Sequence, residues 1–205
     1  MENKQNLDGS TPKELGQSFW NDQYIANTTG WDLGQVSPPL KAYIDQLTNK
    51  DIKILIPGCG NSYEAEYLLK MGFTNVSLID IAPDLVERLK AKFKSEPHIK
   101  IILGDFFSQE GEYDLILEQT FFCALDPGLR KSYVEQMKNL LKIGGKLAGV
   151  LFVKEFEQAG PPFGGSKEEY ELLFENDFDL QVFESCYNSF GKRAGTEMFI
   201  IVIKK

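Results

Sequence analysis

The feature that most constrains this chain is an alternation of short apolar runs with amphipathic segments across residues 52 to 152. Ile52–Ile56, Val76–Asp80, Ile99–Leu103, Tyr113–Leu117 and Lys146–Phe152 read as strands. Ser62–Met71, Pro83–Phe93 and Pro127–Leu141 read as the helices between them, the last closed by Gly144-Gly145. The strands show little in-out polarity, so both faces of their sheet must be covered, which implies parallel strands flanked by helices. Beyond residue 154 the pattern changes. A Gly/Pro-rich loop at 160–165 leads to a helix at Lys167–Phe174 and then two strands, near Leu180–Tyr187 and Glu197–Ile203. Their spacing predicts an antiparallel hairpin on the sheet edge. The expected fold is α/β: a Rossmann-like, mostly parallel seven-stranded sheet with an antiparallel C-terminal hairpin and helices on both faces.

Before the first strand, Thr11-Pro12-Lys13-Glu14 has a capping residue, a proline at the first helical position and an early acid, and predicts a helix running to about Tyr24. Asn27-Thr28-Thr29-Gly30 breaks it. A second helix, Pro39–Leu47, carries apolar residues at helical spacing. No linker or repeat divides the 205 residues, so the expectation is one domain.

The chemistry concentrates at the ends of the first four strands. The turn Pro57-Gly58-Cys59-Gly60-Asn61-Ser62 joins a strand to a helix, and its glycines let a ligand approach the backbone and the free amides of the helix start. Asp80 ends the second strand about 20 residues later, where a carboxylate accepts both hydroxyls of a ribose; it could equally cap the helix opening at Pro83. Gly104-Asp105-Phe106 follows the third strand. Asp105 could take an adenine amine and Phe106 offer an apolar face, or the three could form a plain turn. Such strand ends are where open α/β sheets bind ligands, and together these residues point to a nucleoside-containing cofactor. There is no phosphate loop, the turn lacks the third glycine of the dinucleotide fingerprint, and Glu64 and Glu66 would oppose a pyrophosphate. S-adenosylmethionine, which carries a nucleoside, a sulfonium and an amino acid but no phosphate, suits the turn better than NAD.

Charge and cysteines narrow the setting. A net charge of −8 gives no overall footprint for nucleic acid or an anionic membrane. Lys90, Lys92 and Lys94 form a local cluster that reads as a solvated helix face. The three cysteines are widely spaced, the lone histidine, His98, lies before the third strand, and no metal-ligand motif appears. No run approaches the ~18 to 20 apolar residues of a membrane span. The expectation is a cytoplasmic monomer acting on a small molecule, with no metal and no assigned catalytic base.

Several segments carry a family resemblance. Phe19-Trp20, Trp31-Asp32-Leu33-Gly34 and Pro38-Pro39-Leu40 are similar to a W-x-x-x-W…W-D-x-G…P-x-L pattern. Ile56-Pro57-Gly58-Cys59-Gly60 matches a V-P-G-C-G turn. Glu118-Gln119-Thr120-Phe121-Phe122-Cys123-Ala124-Leu125-Asp126-Pro127 with Arg130 resembles F-F-C-A-I-x-P-x-x-R, and Gly160-Pro161-Pro162-Phe163 resembles G-P-P-Y. These are segments of the thiopurine S-methyltransferase family, nearest to its halide and thiol methyltransferases. The resemblance implies methyl transfer from S-adenosylmethionine to a small soft nucleophile: a thiol, hydrosulfide, halide or thiopurine-like compound. The alternatives are an oxygen, nitrogen or metalloid acceptor, or a binding module without turnover.

It also implies that residues 1–50 form a helical lid, with Trp20, Tyr24 and Trp31 covering the cofactor. Aromatic faces attract a sulfonium, although Trp20 and Trp31 could instead be plain core residues. Tyr24 stands where the plant enzymes have a second tryptophan. Gly58 would approach the cofactor's methionine part, Asp80 the ribose, and Asp105 with Phe106 the adenine. Gln119 stands where family members have arginine or tyrosine. Glu118 could meet the cofactor's ammonium, face substrate or form a salt bridge. Phe121-Phe122-Cys123 divides between core and substrate wall.

Overall fold

The structure, a computed structural model, describes residues 15–205. The expected helix start at Thr11-Pro12 lies outside the described residues. Seven strands form one sheet in the order β3-β2-β1-β4-β5-β7-β6: β1 (Ile54–Pro57), β2 (Val76–Asp80), β3 (Ile99–Leu103), β4 (Tyr113–Gln119), β5 (Leu141–Phe152), β6 (Phe178–Ser185) and β7 (Glu197–Lys204). β1 to β5 pair in parallel. β7 runs antiparallel to both β5 and β6, so the hairpin's second strand enters the sheet and its first becomes the edge. Six α-helices are described: α1 (Gln17–Ile25), α2 (Pro38–Ile44), α3 (Tyr63–Lys70), α4 (Pro83–Lys92), α5 (Arg130–Leu140) and α6 (Lys167–Phe174).

The absence of polar alternation in the strands has a direct structural cause. Ile54 and Ile56 of β1 join one buried cluster with Leu40 and Ile44 of α2, Leu68 of α3 and Leu85 and Leu89 of α4. Leu55, between them, joins the opposite cluster with Tyr133, Val134 and Met137 of α5 and Tyr170 and Phe174 of α6. Successive side chains point to opposite faces, and here both faces are dry. The sheet edges differ. β3 exposes Lys100 and β6 exposes Asp179, Gln181 and Glu184, charged and polar residues that discourage further strand pairing.

Two expectations need correction around β5. The segment opening at Pro127 is first a 3-10 turn, Pro127–Leu129, and becomes α-helical at Arg130. Gly144-Gly145 does not close that helix but lies inside β5. Leu141, fully buried, already pairs with Tyr113; the ladder then shifts register and resumes with Lys146 opposite Leu115. Gly144 has φ +74°, and a Cβ on Gly145 would lie 2.9 Å from the Lys142 carbonyl, so the two glycines form the bulge that resets the register. β4 also extends past Leu117 to include Glu118 and Gln119.

From β1 the chain order runs outward to β2 and β3 on one side and to β4 and β5 on the other. The crevice at the carboxyl ends of β1 and β4 is therefore the switch point where such sheets take ligands. Leu78 on β2 has no solvent exposure. Leu78→Ala is expected to lower stability by about 2–5 kcal/mol. Urea unfolding checks this: the midpoint falls while the slope stays unchanged.

Candidate active site

The site begins in the turn after β1. Gly58 (φ +53°), Gly60 (φ +51°) and Ser62 (φ +58°) all take left-handed backbone conformations, accessible to glycine at little cost and used here to fold the turn back on itself. The turn is tied to the end of β2. The Cys59 amide donates to the Ile79 carbonyl (3.2 Å), and the Gly60 amide donates to Asp80 Oδ2 (3.2 Å). Asp80 Oδ1 accepts from the Ala82 amide (3.0 Å). Burial raises the Asp80 carboxyl above its ordinary range, while the amide donors pull the other way. Asp80 thus fixes the turn before α4 without capping the helix, whose N-cap is Ala82, and it lines the cavity as well.

At the end of β3, Asp105 Oδ1 accepts from the Phe107 amide (3.0 Å) and caps a 3-10 turn, Phe106–Ser108. Phe106 is buried, edge-on to Phe121 with ring centroids 5.1 Å apart. Over the opening lie the aromatic rings of α1 and the segment after it. Trp31 stands edge-on to both Trp20 (5.5 Å) and Tyr24 (5.8 Å).

One cavity of about 700 Å³ collects these residues. Trp20, Tyr24, Trp31, Gly58, Asp80, Asp105, Phe106 and Gln119 all line it, as do Pro161 and Pro162. Gln119 leaves both its Oε1 and Nε2 buried without a hydrogen-bond partner. A buried amide in that state costs free energy unless a ligand satisfies it. At Gly58 the glycine requirement has a second cause: an added Cβ would lie 2.2 Å from Cδ2 of Phe121, whose ring lies against the turn.

Glu118 departs from every role considered for it. It is fully buried, does not line the cavity and, among the described residues, forms no salt bridge. Its Oε1 instead accepts from the Phe121 (2.6 Å) and Phe122 (2.9 Å) amides, holding the turn in which Thr120 takes φ +58°. Oε2 has no partner, and burial, with Glu197 nearby, pushes the carboxyl up to about 7. The Phe121 run divides as its two readings allowed: Phe121 and Cys123 line the cavity, while Phe122 is core. The Phe163 amide donates to the Cys123 carbonyl (2.7 Å), fixing the Gly/Pro loop beside that wall.

Some site residues were given no role in the sequence, although Asp32 stands inside a family motif. Asp32 accepts from Asn61 Nδ2 and from the Tyr63 hydroxyl (3.3 Å), joining the aromatic cover to the glycine turn. Arg193, from the β6–β7 connection, also lines the cavity. Its bond to the Trp31 carbonyl spans 162 positions of the chain. His98 is exposed before β3, away from the site, and Lys90 and Lys92 pair with Glu87 and Glu66 on the surface. Among the described residues no group of three or more His, Cys, Asp or Glu side chains is placed to hold a metal ion.

Comparison with known proteins decides the assignment. The family model described as Thiopurine S-methyltransferase (TPMT) matches residues 15–199. The chain belongs to the thiopurine S-methyltransferase family. It is 34% identical over 165 residues to the probable thiol methyltransferase 2 of Arabidopsis thaliana, covering 78% of this chain and 73% of that one. It is 26% identical to the thiocyanate methyltransferase 1 of Brassica oleracea, covering 91% and 84%. Among solved structures, a TehB-like S-adenosylmethionine-dependent methyltransferase from Corynebacterium glutamicum matches with TM-score 0.65 at 19% identity, covering 92% and 95%. The 1,6-didemethyltoxoflavin-N1-methyltransferase of Burkholderia thailandensis, solved with S-adenosylhomocysteine, matches with TM-score 0.71 at 17% identity, covering 92% and 87%.

As a thiopurine S-methyltransferase family member, the chain is an S-adenosylmethionine-dependent methyltransferase. The cavity fits that cofactor: a buried carboxylate for ribose hydroxyls, an unpartnered amide, an aromatic cover for a sulfonium.

Two outcomes follow. Asp80→Asn keeps the side chain's shape but removes its charge and opposes an N–H to an amide donor, and should weaken S-adenosylhomocysteine binding by about one to two orders of magnitude in calorimetry. Glu118 binds a proton in the fold that the unfolded chain releases from about pH 4.5, so the stability it contributes falls as pH rises toward about 7 and then levels off. Glu118→Gln removes that loss. The stability of the variant relative to the parent should rise across this window, as read from paired urea titrations.

Proposed function

We propose that this chain methylates a small soft nucleophile, with a thiol or hydrosulfide as the leading acceptor and halide or thiopurine-like compounds in the same class. The observation that carries this reading is the chemistry of the cavity wall. The cofactor-facing residues follow β1, β2 and β3. The remaining wall follows β4 and β5 and is mainly apolar: Phe121, Ala124, Leu125, Phe152, Pro161 and Pro162. Among the described residues, that wall carries no carboxylate or imidazole. Burial raises the Tyr24 phenol and the Cys59 and Cys123 thiols far above neutrality, so the cysteines act as small wall residues and the phenol stays protonated.

A thiolate, hydrosulfide or halide reacts without a strong general base, whereas a hydroxyl or ammonium acceptor must lose its proton first. The bound cofactor supplies a methyl group on a positively charged sulfur that is already a good leaving group. The protein's part is to align and to keep water out. The Asp80 carboxylate holds the nucleoside end, Gln119 offers its amide to polar atoms of the ligand, and the rings of Trp20, Tyr24 and Trp31 form the aromatic cover. The apolar wall presents the acceptor in a dry setting, where proximity contributes most of the rate. The thiol, thiocyanate and thiopurine methyltransferases among the relatives support this acceptor class.

In the same reading, residues 1–50 are the lid of a single-domain enzyme. With net charge −8 and three unpaired, buried cysteines, we assign it to the cytoplasm as a monomer that does not engage nucleic acid. Among the described residues no helix is long and apolar enough to cross a membrane.

A product screen tests the function. Purified protein with isotope-labelled S-adenosylmethionine should convert small thiols or hydrosulfide to methyl thioethers or methanethiol, detected by mass spectrometry. Methylation confined to oxygen, nitrogen or tellurite acceptors would contradict the acceptor class. Cofactor binding without turnover on any acceptor would make the chain a binding module.

A further inference from the structure

Arg193 occupies a position that neither the family motifs nor the cofactor cradle explains. It closes the 3-10 turn Gly191–Arg193 between β6 and β7. Its backbone is pinned: the Arg193 carbonyl accepts from the Thr196 amide (3.0 Å) and hydroxyl (2.8 Å), while the Thr196 carbonyl accepts from the Val153 amide (2.9 Å) just beyond β5. The guanidinium lies 5.4 Å from the centroid of Phe152, and its Nη1 meets Glu197 Oε1 at 3.3 Å. The Glu197 side chain is only 3% exposed and opens β7 opposite Phe152. The turn that carries Arg193 is therefore tied to the ends of β5 and β7.

Its tip reaches elsewhere. Nη2 donates to the Trp31 carbonyl at 2.7 Å. Trp31 is the ring against which both Trp20 and Tyr24 stand, so this bond holds the aromatic cover at its centre. On its other side the same segment is held by Asp32, which accepts from Asn61 Nδ2 and the Tyr63 hydroxyl and caps its own turn through the Gly34 amide (2.6 Å). The Trp31-Asp32 segment thus has two anchors, one on the turn that receives the cofactor and one on the hairpin beside the acceptor wall.

We propose that Arg193 is a positioning residue that latches the Trp31-Asp32 segment closed across the cavity, so that the cofactor's aromatic cover and the acceptor wall are set by the same side chain. Its positive charge is already matched by Glu197, and its second nitrogen is committed to a carbonyl. It therefore acts on the reaction through Trp31 rather than by taking an anionic acceptor. The latch preorganises the closed cavity: removing it lowers the fraction of protein ready to bind, and apparent affinity falls by that fraction. The proposal rests on the reading that this cavity binds S-adenosylmethionine.

The chain has two tryptophans, Trp20 and Trp31, both in this cover, so tryptophan emission reports on it without interference. The parent, Arg193→Gln and Arg193→Lys are compared in emission without ligand and in S-adenosylhomocysteine affinity. Lysine keeps a charge for Glu197 but has a single ammonium in place of the fork that serves Glu197 and Trp31 together. If glutamine beside the buried Glu197 prevents folding, the lysine variant decides. The latch predicts red-shifted emission in the unliganded variants and S-adenosylhomocysteine binding weakened about tenfold. In a double-mutant cycle, Arg193→Lys and Asp32→Asn should be non-additive in affinity, because both release one segment.

Parent-like emission and affinity in a folded variant would overturn the proposal, whatever happens to acceptor KM. Failure of the parent itself to bind S-adenosylhomocysteine would instead refute the cofactor reading, with the emission of the unliganded variants still deciding the latch.

Discussion

The hydrogen bond from the Gly60 amide to the Asp80 carboxylate is the contact on which the rest of the site depends. It joins the turn after β1 to the end of β2, two segments that the parallel ladder brings side by side and that the Cys59 amide also ties through the Ile79 carbonyl. Because the same carboxylate accepts from Ala82, it also sets the entry of α4. A buried carboxylate is costly to hold, and these amides are what hold it here. The left-handed conformations at Gly58 and Gly60 are the backbone's part of the same arrangement. They turn the Gly60 N–H toward Asp80, and the bare Gly58 leaves room for Phe121, which Glu118 in turn holds from below.

The site is consequently assembled in layers. A dry sheet supplies rigid strand ends. Buried carboxylates at two of those ends, Asp80 and Glu118, organise the turns that follow them. The turns present Gly58, Gln119 and Phe121 to the cavity, and the Trp31-Asp32 segment closes over the result. Each layer has its own polar fastening: Gly60–Asp80, Glu118–Phe121, Asn61–Asp32 and Arg193–Trp31. None is an exposed ion pair, which would contribute little.

The parts legible in the sequence were those with local signatures. β2, β3 and α6 have the expected limits because each is bounded by abrupt polar or turn residues. The expected cradle residues meet in one cavity because glycine turns and strand-end aspartates fall at the carboxyl ends of adjacent parallel strands. Where sequence reading failed, tertiary contacts decided. Leu141 is as apolar at the end of a helix as at the start of a strand, and its pairing with Tyr113 selected the strand. Glu118 reads as a ligand group or an ion-pair partner, yet two backbone amides three and four residues on claim it. Arg193 reads locally as an ion-pair partner of Glu197, and its tie to the aromatic cover lies in a carbonyl 162 residues away.

The central claim is that one cavity, at the carboxyl ends of β1 to β4 and under the Trp20–Trp31 cover, receives the cofactor. Hydrogen–deuterium exchange with and without S-adenosylhomocysteine tests it most directly. The account predicts slowed exchange confined to residues 57–62, 80–82, 104–107 and 119–122 together with the covering segment around 20–34. Protection that leaves the glycine turn and the Asp80 segment unchanged, or that appears on the opposite edge of the sheet, would contradict it.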